Sequence, residues 1–81
     1  MLDITKLFGD VKFTSLEESI ITYILNNIDN CMDDGIRGIA KKTYTSPSTI
    51  MRLSKKLGYN GFVELVYSLN HLYLRIHQRF E

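Results

Sequence analysis

The sequence holds one cysteine, one proline and no acidic residue between positions 35 and 63, and each scarcity narrows what the chain can be. A lone Cys31 cannot close an internal disulfide, and no Cys/His spacing resembles a zinc site. No metal or cofactor is therefore expected, and a reduced, cytoplasmic compartment fits. The longest charge-free run is too short and too polar to span a bilayer, and the opening Met1-Leu2-Asp3-Ile4 lacks the basic stretch of a signal peptide. No glycine-rich phosphate loop and no pair of catalytic carboxylates is visible. His71 and His77 stand six apart, so one helical face cannot offer both to a metal. Asp29, Asp33 and Asp34 lack the alternation and the glycine of a calcium loop. With no His or Asp pattern beside it, Cys31 reads as a buried or loop thiol rather than a nucleophile. Enzyme activity is not expected.

What remains is helix. No run of β-branched residues alternates with period two between turn signals. The 81 residues support one domain, which at this size buries only roughly 60–65% of the surface its unfolded chain exposes. The expectation is an all-α domain of about five helices. Residues 3–9 read as a short first helix ended by Gly9. Thr14-Ser15-Leu16-Glu17 is a capping box, with Phe13 placed as a hydrophobic staple. The helix it opens carries Leu16, Ile20, Ile24 and Ile28 as a stripe widened by Ile21 and Leu25. Asn26, Asn27, Asp29 and Asn30 then favour a turn. A third helix is expected from about Gly35 to Thr43, capped by Asp33 or Asp34, with Ile36, Ile39 and Ala40 inward. Ser46-Pro47 places a serine N-cap before a proline at the first helical position, where its missing amide costs nothing. Ile50, Leu53 and Leu57 form the buried face of this fourth helix, and Gly58 supplies its left-handed cap. Asn60 opens a last helix of about 18 residues (an estimate from periodicity).

Charge is distributed unevenly along this plan. Residues 1–34 set two lysines against Asp3, Asp10, Glu17, Glu18, Asp29, Asp33 and Asp34, whereas residues 35–63 carry Arg37, Lys41, Lys42, Arg52, Lys55 and Lys56. A one-signed segment points to an anionic partner. Two short helices over about 35–58, joined by a short turn and the second one basic, form the helix-turn-helix geometry that seats a helix in the major groove of DNA. Ala40 is small where the two helices touch, and Ile50 and Leu53 follow it at the two inward positions of the second helix. Ordinary helical hairpins share that pattern, and a run of lysines is often only a solvated face, so the outward residues decide. They are Ser48, Thr49, Met51, Arg52, Lys55 and Lys56. Short hydroxyls allow close approach to base edges, and an arginine one turn deeper can pair with guanine. The Ser46–Thr49 amides form a helix N-terminus suited to a phosphate. The rival reading is a helical interaction module whose basic helix meets an acidic protein; a steep salt dependence of DNA affinity separates the two.

Gly35-Ile36-Arg37-Gly38-Ile39-Ala40, Ser46-Pro47-Ser48-Thr49-Ile50-Met51-Arg52, Lys55-Lys56-Leu57-Gly58-Tyr59 and Gly61-Phe62 resemble the N-terminal domain of the RpiR family of bacterial transcription regulators, over about residues 2–73. The resemblance implies an all-helical DNA-binding domain followed by a sugar-isomerase-type domain that binds a phosphosugar and helps dimerise. That second domain is not expected within these 81 residues, so a sugar phosphate is expected to act only through a C-terminal domain outside them. The resemblance places DNA contact on Ser46, Ser48, Thr49, Arg52, Lys55 and Lys56, with Arg37 and Lys42 near the backbone. Thr43, Tyr44 and Thr45 depart from the small residue, glycine and apolar residue common in the family's turn. Either Tyr44 accepts a positive φ, uncommon for a bulky side chain, or the turn takes another shape. Gly38, inside a helix, costs about 1 kcal/mol relative to alanine.

In the last helix Phe62, Leu65, Val66, Leu69, Leu72, Tyr73, Ile76 and Phe80 make one apolar stripe, and Val63, Tyr67 and Leu74 add part of a second face. Core can account for both. The sharper reading is that the second packs against another copy, as a dimer or linker helix over about 61–80, because so small a domain has few surfaces left to cover it.

Overall fold

A computed structural model describes residues 8–9 and 11–78 of the chain, with side chains as far as Leu74. The described residues form four helices and no strand: α1 (Ser15–Asn26), α2 (Ile28–Lys42), α3 (Pro47–Lys56) and α4 (Phe62–Gln78). The architecture is all-α, as expected. The short helix expected over residues 3–9 lies almost wholly outside the described residues.

Local chemistry starts α1 where the sequence places it. The Glu17 amide donates to the Thr14 hydroxyl at 3.1 Å, and the Glu17 carboxylate accepts from the Thr14 amide at 2.9 Å. Ile20, Ile21, Ile24 and Leu25 are buried. Leu16 shares their face but is 46% exposed, because it lies one turn before the cover of the helix begins. Phe13 packs edge-to-face on Phe8, ring centroids 5.7 Å apart, and both rest against the core.

The turn expected over Asn26–Asn30 contracts to one residue. Asn27 leaves helical geometry (φ −131°, ψ 34°), its side chain donates to the Tyr23 carbonyl at 2.8 Å, and helix resumes at Ile28. Ile28 packs against the core and Cys31 is fully buried, so apolar burial outweighs the turn preference of the intervening Asp and Asn. Burial first, and the nearby Asp34 charge second, push the Cys31 thiol up to about 11, which leaves it protonated and unreactive.

At Gly35 (φ 71°, ψ 176°) α2 kinks, dividing it into segments 28–34 and 36–42. The second segment is the expected third helix. Its expected cap is not made by Asp34, whose carboxylate goes instead to the Lys42 ammonium at 3.0 Å.

Helix α4 packs on all three others and contributes Phe62, Leu65, Val66 and Leu69 to a core that includes Ile39, Ala40, Ile50 and Leu53. Leu72 and Tyr73 are half-buried; Ile76 and Phe80 lie outside the described side chains. Val63, Tyr67 and Leu74 stand 57%, 73% and 46% exposed, so the second apolar face of this helix is uncovered.

Candidate nucleic-acid interface

Two copies of one backbone device bracket α3. After α2, the Tyr44 amide donates to the Lys41 carbonyl at 3.3 Å and the Thr45 amide to the Ala40 carbonyl at 2.8 Å. After α3, the Gly58 amide donates to the Lys55 carbonyl at 3.0 Å and the Tyr59 amide to the Ser54 carbonyl at 2.9 Å. Both are Schellman closures, which put one residue in the left-handed region. Gly58 fills that place at φ 90° and Tyr44 fills it at φ 59°. Of the two shapes open to the turn, the chain takes the one that strains Tyr44. The Thr43 hydroxyl, buried, adds a bond to the Ile39 carbonyl at 2.7 Å and lies 2.9 Å from the Thr45 hydroxyl.

The turn delivers the chain to Ser46, whose hydroxyl accepts from the Thr49 amide at 3.2 Å with Pro47 next in line. This N-terminus offers a phosphate fewer donors than expected, since Pro47 has no N–H and the Thr49 amide is already satisfied. From there 3.6 residues per turn sort the side chains. Ile50, Leu53 and Ser54 are buried, and Leu57 is partly so. Ser54 was not foreseen as inward; its hydroxyl is satisfied by the Ile50 carbonyl at 2.9 Å, so the polar group is buried at little cost. Ser48, Arg52 and Lys55 occupy the middle of the outward face and are exposed. Met51 lies on the flank toward α4 and lines an open apolar hollow of about 730 Å³ with Ile36, Phe62, Val63 and Tyr67.

Thr49 and Lys56 share the opposite flank. Thr49 is half-buried, its hydroxyl 3.0 Å from that of Ser46. Lys56 turns toward the start of α1: its ammonium donates to the Lys12 carbonyl at 2.7 Å and the Glu17 carboxylate at 2.8 Å, and sits 5.5 Å from the Phe13 ring centroid. Two of its three N–H donors are thus engaged, which leaves one for a phosphate. Arg37 and Lys42 are exposed, with Lys42 paired to Asp34. Among the described residues Arg37, Lys41, Arg52 and Lys55 form no ion pair. Lys41 and Tyr44 are both exposed beside the turn, and neither is among the residues expected from the sequence to contact DNA. The positive φ required at Tyr44 was the one signal that could have drawn attention to it.

The Lys56 contact yields a pH prediction. Burial pushes the Glu17 carboxyl up, but the hydrogen bond from Lys56, the Thr14 amide and the Lys56 charge together outweigh it, so the carboxyl titrates below its usual range. A depressed folded value contributes stability that is present above the unfolded value of about 4.3 and lost as pH falls through the lower folded one. Lys56→Ala should therefore cost ~1 kcal/mol at neutral pH, or roughly 4–8 °C in melting temperature. The gap from wild type should narrow as acid protonates Glu17, leaving the part owed to the Lys12 carbonyl and the Phe13 ring. Melting curves across this range check it; a gap that persists unchanged in acid would show that Lys56 acts without Glu17.

Comparison with known proteins agrees with this geometry. A family model described as helix-turn-helix domain, rpiR family, matches residues 9–74. Over 58 residues the chain is 40% identical to an uncharacterized HTH-type transcriptional regulator of Clostridium perfringens (strain 13 / Type A), covering 72% of this chain and 21% of that protein. Over 45 residues it is 44% identical to the HTH-type transcriptional regulator GlvR of Bacillus subtilis (strain 168), covering 56% of this chain and 18% of that one. The chain thus spans about a fifth of the length of these relatives. No solved structure matches. Among the described residues no helix is long and apolar enough to cross a membrane.

Proposed function

The chain belongs to the rpiR family of helix-turn-helix domains found in transcriptional regulators, which are not enzymes, and on that premise we propose that it reads one half-site of an operator with α3 in the major groove. The outward face of α3 carries this reading: Ser48, Arg52 and Lys55 are exposed at its centre, and no acid lies between residues 35 and 63. Ser48, Thr49 and Arg52 are assigned to base edges, with Ser46 at the phosphate beside the helix start. Lys55, Arg37 and Lys42 are assigned to the backbone, Lys42 exchanging Asp34 for a phosphate. Lys56 is assigned to holding α3 against α1. The test is binding to duplex DNA over a salt series. Each neutralised phosphate should steepen the fall of log affinity with log salt by about 0.9; a flat salt response would overturn the reading and favour a protein partner.

One recognition helix reads one half-site, and two-fold pairing is the usual route to a second. The partner proposed for the uncovered face of α4 is a second copy of this chain. Val63, Tyr67 and Leu74 fall on one stripe of that helix and are all exposed, and the hollow lined by Met51 lies beside Val63 and Tyr67. Sedimentation should show concentration-dependent dimers that Leu74→Glu weakens; a clean monomer at high concentration would exclude this face as the interface. Control of sugar metabolism and response to a sugar phosphate are proposed for a full-length regulator acting in the cytoplasm. The effector site is assigned to the part of such a protein beyond the matched domain. Calorimetric titration of this chain with sugar phosphates should give no micromolar binding.

A further inference from the structure

We infer that Tyr44 is a DNA-backbone contact, its phenol hydroxyl donating to a phosphate at the edge of the groove that α3 occupies. The inference rests on the DNA-binding reading and adds to it a residue at the turn.

The two Schellman closures around α3 share hydrogen bonds and backbone handedness but differ in occupant. Gly58 meets the left-handed requirement without steric cost, whereas Tyr44 meets it with a bulky side chain at φ 59°. Such strain is usually held in place by packing. Here the side chain is 94% exposed, more than any other large apolar or aromatic residue described. The fold therefore gains neither burial nor backbone relaxation from tyrosine, and glycine would suit the turn better. Strain that nothing in the fold repays is characteristic of functional positions.

Position identifies the ligand chemistry. Tyr44 stands two residues ahead of Ser46, the N-cap of α3, so it lies outside the first turn that meets base edges and beside the strand bordering the groove. Carbonyls at the C-terminus of α2 would ordinarily repel a phosphate there. Three of them are satisfied: Ile39 by the amide and hydroxyl of Thr43, Ala40 by the Thr45 amide, Lys41 by the Tyr44 amide. The nearest charged residues in sequence are Lys41 and Lys42, the first exposed and without an ion pair among the described residues. An exposed O–H donor close in sequence to two lysines suits a phosphate oxygen, and tyrosine is among the side chains that make such contacts.

The test uses the full chain, a long mixed-sequence duplex as probe, and three variants. Tyr44→Phe keeps ring and strain and removes only the hydroxyl; it should lose about fivefold in affinity with an unchanged melting temperature, as expected for one hydrogen bond. Tyr44→Gly should melt at an equal or higher temperature and yet bind at least as weakly as the phenylalanine variant. Both should keep the wild-type salt slope, since a phenol releases no counterion, whereas Lys41→Ala should lower it by about one unit. A Tyr44→Phe variant that binds like wild type overturns the inference and leaves the DNA-binding reading standing. Failure of the wild-type chain to bind duplex at all overturns both.

Discussion

Arg52→Ala should abolish the preference for one base pair of the operator while leaving the melting temperature unchanged. Arg52 is exposed at the centre of the outward face of α3, one turn beyond Ser48, and forms no ion pair among the described residues. Its removal therefore leaves no buried group unsatisfied. A guanidinium fork matches O6 and N7 of guanine, and such a pair contributes about 1–3 kcal/mol of discrimination, or roughly 5- to 150-fold between the right and wrong base. Arg52→Lys keeps the charge but lacks the fork. It should retain most affinity for mixed-sequence DNA and still lose the discrimination. Lys55→Ala gives the contrasting outcome: all sequences weakened about equally, with a salt slope lower by about one unit. A binding series over single-base operator variants at several salt concentrations distinguishes these outcomes. Were Arg52→Ala to weaken every sequence alike, Arg52 would be a phosphate contact and the base reader would lie elsewhere on α3.

The residues that could be placed from sequence are those whose chemistry is local. Thr14 with Glu17, Ser46 with Pro47, and Gly58 each satisfy amides or carbonyls within a few positions of themselves, and each sits where the spacing puts it. Inward positions of α3 followed from its period, with Ser54 the exception because a buried hydroxyl bonded to its own helix leaves no apolar mark in the pattern. Reading failed where a distant partner decides. The Asn27–Asn30 stretch has turn composition, yet core contacts of Ile28 and Cys31 hold it helical on either side of Asn27. Lys56 looks like its neighbour Lys55, but its partner Glu17 lies 39 positions away, a pairing that no helical period reveals. At Tyr44 the sequence posed the choice between a strained residue and a different turn. Only the hydrogen bonds of the closure settle it, since Thr43 to Thr45 must cap α2 before Ser46 can start α3.

Gly35→Ala should destabilise the domain by about 1–3 kcal/mol, while Gly38→Ala, three residues on, should change stability little. At φ 71° and ψ 176° Gly35 occupies a region open essentially to glycine alone. An added Cβ there meets nothing within 4 Å, so the whole cost is backbone conformation and cannot be relieved by a neighbour moving aside. The kink matters to the site because it sets the direction of segment 36–42, which brings Ile39 and Ala40 to the core shared with Ile50 and Leu53 of α3. Straightening it to suit alanine would shift those contacts and the turn with them. Gly38 is helical, and alanine there gains about 1 kcal/mol of helix propensity. The new Cβ would lie 3.0 Å from the Asp34 Cβ, so Asp34 must yield a few tenths of an ångström, which offsets the gain. Asparagine tolerates the left-handed helical region but not a ψ near 180°, so Gly35→Asn should fare no better than alanine. In a domain of this size the loss at Gly35 corresponds to roughly 4–8 °C of melting temperature per kcal/mol. Thermal unfolding of the three variants checks the set. A Gly35→Ala protein that melts with wild type, or an asparagine variant that restores the loss, would mean that α2 can run through this point without the kink.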